Sequence, residues 1–118
     1  MQHHMKLQPD PFLKIQSGTK TIEVRLNDAK RQQLQTGDII VFTHTDPEET
    51  QLTARINKLE HFPSFLALFQ TYEPTLYGAQ NADDYKSMYQ YYSKEDEQTF
   101  GVLAIHIHET KLMIKRTK

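Results

Sequence analysis

The chain has 118 residues and a formal net charge of −1, room for one domain of the usual ~100–150 residues and too little basic excess to hold nucleic acid by bulk charge alone. It has no cysteine, which excludes disulfides, thiolate metal sites and a cysteine nucleophile. No apolar run approaches the ~20 residues of a membrane span and no signal-like start is present, so a cytoplasmic protein with no membrane contact is expected.

Met1 to His4 reads as a frayed start or a tag remnant, and residues 5–118 as a single domain. Met5-Lys6-Leu7 begins a first strand, which Pro9-Asp10-Pro11 breaks. Asp10 can cap a short helix carrying Phe12, Leu13 and Ile15, with Gly18 beyond its end. From Thr21 to Leu26 the chain alternates, Ile22, Val24 and Leu26 on one face and Thr21, Glu23 and Arg25 on the other, the pattern of a half-buried strand. A polar helical turn follows to Gln33. Ile39 to Thr45 is a second strong strand, Asp46 to Glu49 a hairpin loop, and Gln51 to His61 the return strand.

Pro63 and Ser64 open a helix whose apolar face is Phe65, Leu68, Phe69 and Tyr72. Asn81, with Asp84 three residues on, caps a second helix that presents Tyr85, Met88, Tyr89 and Tyr92. Ser93 caps one more turn, at a start rich in acids. Val102 to His108 is a further strand, and Lys111 to Arg116 a last one after a turn at Glu109-Thr110. Five or six strands, with a short N-terminal helix and two or three helices inserted before the last strands, predict a mainly β, α+β fold: a small closed barrel.

Charge is uneven along this order. Residues 1–36 carry six Lys/Arg against three Asp/Glu, residues 37–100 four against eleven, and residues 101–118 four against one. If the two ends meet in one sheet, a nearly neutral protein presents a basic face.

Four features can carry chemistry. Gly18-Thr19-Lys20-Thr21 lacks the spacing and the strand-before-helix order of a phosphate-binding loop. His106 and His108 share a strand face, as two imidazoles on one metal would, but nothing spaced to complete a ligand set accompanies them, so no metal and no cofactor are expected. All six tyrosines lie between residues 72 and 92. Most belong to a core, and one or two exposed rings could stack on a base. The most specific feature is Gly18-x-Lys20-x-x-Glu23-x-Arg25. Glu23 and Arg25 share a strand face with Lys20 just before it, and an acid between two bases can hold both cations ready for an anionic or base-like ligand. The plain alternative is an exposed ion network of little worth.

At this motif the chain resembles the ASCH family, the activating-signal-cointegrator homology domains of the PUA-like β-barrels, and in particular small bacterial single-domain members. The matching residues are Pro11-Phe12-x-x-Ile15-x-x-Gly18-x-Lys20-Thr21-Ile22-Glu23-x-Arg25-Leu26-Asn27, Gly37-Asp38-x-Ile40-x-Phe42, Tyr92-Ser93-x-Glu95-x-Glu97 and Phe100-Gly101-Val102-Leu103-Ala104-Ile105. The resemblance spans about residues 5–108. It implies a barrel whose helices border a cleft, with the motif lining that cleft and RNA or a modified nucleoside as ligand. The expected ligand-binding residues are Lys20, Thr21, Glu23, Arg25, Tyr92 and Ser93, with Glu23 accepting from an exocyclic amine. A basic track of Lys111, Lys115, Arg116 and Lys118 would extend the surface. Some relatives hydrolyse the acetyl amide of N4-acetylcytidine, and another is reported as a ribonuclease. The amidohydrolases use a Lys, a Thr nucleophile three residues on and a carboxylate from the helical insertion. Here Lys20 matches and Glu23 stands where the Thr would be, with Asp83 or Asp84 as the carboxylate. The alternative is therefore a small metal-independent hydrolase with Lys20 and Glu23 as its catalytic pair. The resemblance specifies no protein partner.

Overall fold

The computed structural model describes residues 1–45 and 50–114, with Ile114 described for its backbone only. The five strands are β1 (Gln2–Leu7), β2 (Ile22–Leu26), β3 (Ile39–His44), β4 (Thr50–Phe62) and β5 (Val102–Ile114). They form one sheet in the order β1-β3-β4-β5-β2, curled into a half-barrel whose edge strands are β1 and β2. The β1–β3 pairing is parallel and the others are antiparallel.

The first strand starts earlier than expected. Gln2 to His4 pair with Ile39 to Val41, so these residues are part of the sheet rather than a frayed start. Asp38 secures them: its carboxylate accepts from His3 Nε2 at 2.8 Å and from the Met1 ammonium at 3.4 Å. Helix α1 (Pro9–Gln16) follows, with Gln8 rather than Asp10 at the cap position. Pro9 suits a first helical position because its missing N–H would have found no partner there. The turn expected at Glu109-Thr110 is a bulge inside one long strand. Thr53 pairs with Lys111 and Arg55 with His108, which inserts one extra residue on β5, and Glu109 takes up the irregularity at φ 51°. Among the described residues the strands are thus five. The expected loop Asp46–Glu49 and the end of the last strand lie outside the described residues.

The helical insertion lies between β4 and β5. Ser64 caps α2 (Phe65–Thr71) by accepting from Ala67 N–H at 3.0 Å. A 3₁₀ turn spans Pro74–Tyr77 and a longer 3₁₀ helix Ala82–Gln90. The latter has the Asn81/Asp84 capping box read from the sequence. Short polar side chains bond its local backbone, Asp84 accepting from Gln80 and Asn81 N–H and Ser87 donating to the Asp84 carbonyl. Ser93 caps α3 (Lys94–Phe100).

The sheet packs on both faces. On one, Met5, Leu7, Ile40, Phe42, Leu52 and Ile56 enclose Phe12 and Ile15 of α1 together with Leu103 and Ile105. On the other, Ile22, Val24 and Leu26 meet Phe65, Leu68 and Phe69 of α2, and Tyr85, Met88, Tyr89 and Tyr92 cover that cluster. Buried Glu97 ties the insertion together, accepting from Phe65 N–H at 2.7 Å and from the Tyr89 hydroxyl at 2.8 Å. Because β2 has a core on each side, Glu23 is buried as well as Ile22, Val24 and Leu26, and Arg25 is partly buried.

Candidate functional site

Glu23 and Arg25 pair across the sheet with Ile105 and Leu103. Directly opposed residues project to the same face, so two charged side chains stand beside the first core cluster, at the open seam of the half-barrel. Glu23 is 3% exposed and Lys20 8%. Lys20 Nζ lies 2.7 Å from Glu23 Oε1, and Arg25 Nε donates to Glu23 Oε2 at 2.7 Å. Arg25 also reaches over the seam, its Nη2 donating to the Lys6 carbonyl of β1 at 3.2 Å. One guanidinium thus bridges the two edge strands and fixes the acid between two cations.

Such a triad is costly to bury unless every charge has a partner. Burial pushes the Glu23 carboxyl up, but the charges and hydrogen bonds of Lys20 and Arg25 outweigh it and hold it near 2. Burial likewise works against the Arg25 charge, and Glu23 more than compensates, raising its pKa above the ordinary arginine value. The group as a whole carries one net positive charge.

Glycine 78 shapes the Lys20 side of the site. It ends the Pro74–Tyr77 turn at φ 86°, and a Cβ there would sit 3.1 Å from Lys20 Cδ. Its carbonyl accepts from Lys14 Nζ at 3.1 Å. The lysine therefore lies against bare backbone, a contact that glycine alone allows at this positive φ.

A cleft of about 680 Å3 opens over the triad, within the ~300–1,000 Å3 of small-ligand sites. Lys20 just before β2 and Glu23 and Arg25 within it line the cleft, with Lys6, Leu7, Gln8 and Asp10 from β1 and the start of α1, and Tyr77, Met88, Tyr91 and Tyr92 from the insertion. Tyr91 is 69% exposed and is the exposed tyrosine among the described residues. Tyr92 has one face stacked on Phe65 at 5.5 Å between centroids. Burial raises its hydroxyl pKa against the opposing pull of Arg25.

The expected site is brought together in part. Lys20, Glu23, Arg25 and Tyr92 share the cleft, while Thr21 and Ser93 fall outside its lining. The Thr21 backbone is used in joining β2 to Leu76 and Ile107, and the Ser93 hydroxyl caps α3 through Asp96 N–H at 3.0 Å. Asp83 and Asp84 lie outside it too, and Asp84 is held in its capping box. Lys111 is eight residues beyond Leu103, the partner of Arg25, or roughly 25 Å along β5 at ~3.3 Å per residue. Lys115, Arg116 and Lys118 lie outside the described residues. His106 Nε2 lies 2.7 Å from Glu60 Oε1 and His108 is exposed. No three His, Asp or Glu side chains converge as a metal site among the described residues. Sequence reasoning missed Lys6 and Gly78. The basic surplus of residues 1–36 was a signal for the first. The second had only its Pro-then-Gly turn signature.

An open five-stranded half-barrel with a charged cleft beneath a helical insertion is the PUA-like architecture. The ASCH domain model matches residues 5–111, and the chain belongs to that family. The hypothetical protein PH0355 is 30% identical over 92% of this chain and 98% of its own, with a TM-score of 0.79. Protein PF0455 from Pyrococcus furiosus is 27% identical over 92% and 96%, with a TM-score of 0.71. ASCH from Zymomonas mobilis is 17% identical over 97% of this chain and 73% of its own, with a TM-score of 0.71, a likeness of fold. No curated protein matches significantly. No helix among the described residues is long and apolar enough to cross a membrane.

Proposed function

We propose that this ASCH domain is a cytoplasmic RNA-binding protein that takes one nucleotide into the cleft. The observation that carries the reading is the buried Lys20–Glu23–Arg25 triad, two cations pre-positioned on one carboxylate at the wall of a nucleoside-sized cleft. Pre-positioned donors bind an anionic or carbonyl oxygen without first losing side-chain entropy. Lys20 and Arg25 contact phosphate or a base carbonyl. Glu23 acts by holding them, since each of its oxygens already accepts from a cation; this replaces the expectation that it reads an exocyclic amine. Stacking falls to Tyr91, because Phe65 covers one face of Tyr92.

Hydrolysis with Glu23 as the base is less well supported. A carboxylate held near 2 has little basicity at neutral pH, where a general base works best with a pKa near the operating pH. Titration with cytidine, N4-acetylcytidine and a short single-stranded RNA tests both readings, with products followed by chromatography. Binding that falls about tenfold or more in Lys20→Gln and Arg25→Gln, without turnover, supports the proposal. Equal affinity in both variants would reject the site, and cytidine released from N4-acetylcytidine would replace binding with catalysis.

A further inference from the structure

Arg25 lines a second depression as well as the cleft. This groove holds about 460 Å3, and its lining includes His4, Lys6, Lys30 and Arg31 besides Arg25. The two depressions share Lys6 and Arg25, which meet at the seam between β1 and β2. The groove is therefore the continuation of the cleft past the guanidinium that bridges the edge strands.

Its described lining is cationic. Among the described residues, four cationic side chains line it and no carboxylate does; Glu23 and Asp28 reach Arg25 and Arg31 from outside the lining, Asp28 at 3.4 Å. Lys30 Nζ donates to the His4 carbonyl at 3.3 Å, which holds the ammonium over β1. Arg31 Nε is buried with no acceptor among the described residues. The guanidinium fork of arginine suits a phosphate, and the Arg25 and Arg31 side chains both line the groove. The helical insertion, residues 63–101, carries the opposite charge, with six acids against two bases. A polyanion leaving the cleft is thus drawn along β1 and repelled from the helices.

We infer that this groove is the path of the backbone phosphates flanking the nucleotide held in the cleft, so that the ligand is a single-stranded polynucleotide rather than a free nucleoside. The inference rests on the RNA reading of the cleft. Lys30 and Arg31 are the residues it adds, both from the polar turn after β2. A phosphate next to the bound nucleotide meets Arg25 first, and the following one meets Lys30 and Arg31.

The test is a fluorescence-anisotropy titration of a labelled single-stranded RNA of mixed sequence at several salt concentrations. The variants are Lys30→Glu, Arg31→Gln and their combination, with Lys30→Arg as the charge-retaining control. Lys20→Gln and Tyr91→Ala report on the cleft, and circular dichroism checks folding. The combined groove variant is expected to weaken RNA binding by about tenfold or more and to flatten the plot of log affinity against log salt by about 0.7, the contribution of the one phosphate that is no longer neutralised. Lys30→Arg retains the parent affinity, and cytidine, which has no phosphate, binds the groove variants as it binds the parent. Unchanged RNA affinity and salt slope in the combined variant, with binding still lost in Lys20→Gln and Tyr91→Ala, would overturn the groove and leave the cleft standing. Loss in the groove variants alone would keep the groove as the phosphate site and reject the cleft. If the parent binds cytidine but no RNA, the groove assignment fails.

Discussion

Two strands of the same sheet each carry a glutamate two residues from a basic side chain. On β2, Glu23 sits between Lys20 and Arg25 at 2.7 Å from each. On β4, Glu60 lies 2.7 Å from His106 and 3.5 Å from Lys58, and also accepts from the Tyr72 hydroxyl. The contacts are alike; the surroundings are not. The Glu23 side chain is 4% exposed and that of Glu60 26%. Water screens the second cluster and competes for its donors, so it contributes little to stability. The first has no such substitute solvent, and each member depends on the others. A surface cluster tolerates removal of a partner, whereas the buried one ties the fold and the proposed ligand site to the same three side chains.

Removing each acid in turn is the strongest way to break this comparison. Glu23→Gln leaves buried Lys20 and partly buried Arg25 facing each other without their shared acid and should cost about 3–5 kcal/mol in urea unfolding. Glu60→Gln should cost less than about 1 kcal/mol. Equal losses would mean that burial does not separate the two clusters.

Acid sharpens the same contrast. Glu23 has an ordinary pKa of 4.5 and is held at about 2 in the folded chain. The stability from its ionised form is therefore complete above about 4.5 and drains away as the pH falls toward 2, by about 3 kcal/mol in total. Glu23→Gln should remove that part of the acid transition, while Glu60→Gln should leave it in place. Denaturant midpoints measured from pH 6 to pH 2 give the answer.

The tyrosines offer a milder test. Tyr91→Ala deletes an exposed ring and should leave stability within about 0.5 kcal/mol, yet weaken RNA binding by about 1–3 kcal/mol if a base stacks there. Calorimetric titration beside thermal unfolding separates the two effects. Smallest is a pair of glycine changes. Gly18 and Gly78 both have positive φ, at 84° and 86°, but a Cβ at Gly18 meets nothing within 4 Å. Each Gly→Ala change should cost about 1–2 kcal/mol of backbone strain. Only Gly78→Ala should also weaken ligand binding, by displacing Lys20, and affinities of the two variants compared with the parent check this.

Much of the fold was legible along the chain. Alternation marked β2, the apolar run from Ile39 marked β3, and Ser64, Asn81 and Ser93 marked three helical starts that the structure uses as caps. These signals are local, because a cap or a strand face is decided within a few residues. Reading failed where distant pairing decided the outcome. Gln2–His4 look polar and unattached until β3 lies beside them, and Glu109-Thr110 look like a turn until β4 extends past them.

The candidate site divides the same way. Spacing alone put Glu23 and Arg25 on one strand face with Lys20 at its head, because the strand repeat is two residues whatever surrounds it. The same spacing joins Lys58 and Glu60, so it could not tell a buried triad from a surface pair. Only the tertiary structure decided that, by closing α1 and β1 over one side of β2 and the helical insertion over the other. It also brought basic residues of β1 and of the turn after β2 together, since Lys6 and Lys30 become neighbours of Arg25 only when the edge strands meet. Residue type and periodicity are properties of a short segment, whereas burial, and with it the strength of a charge, belongs to the whole packed chain.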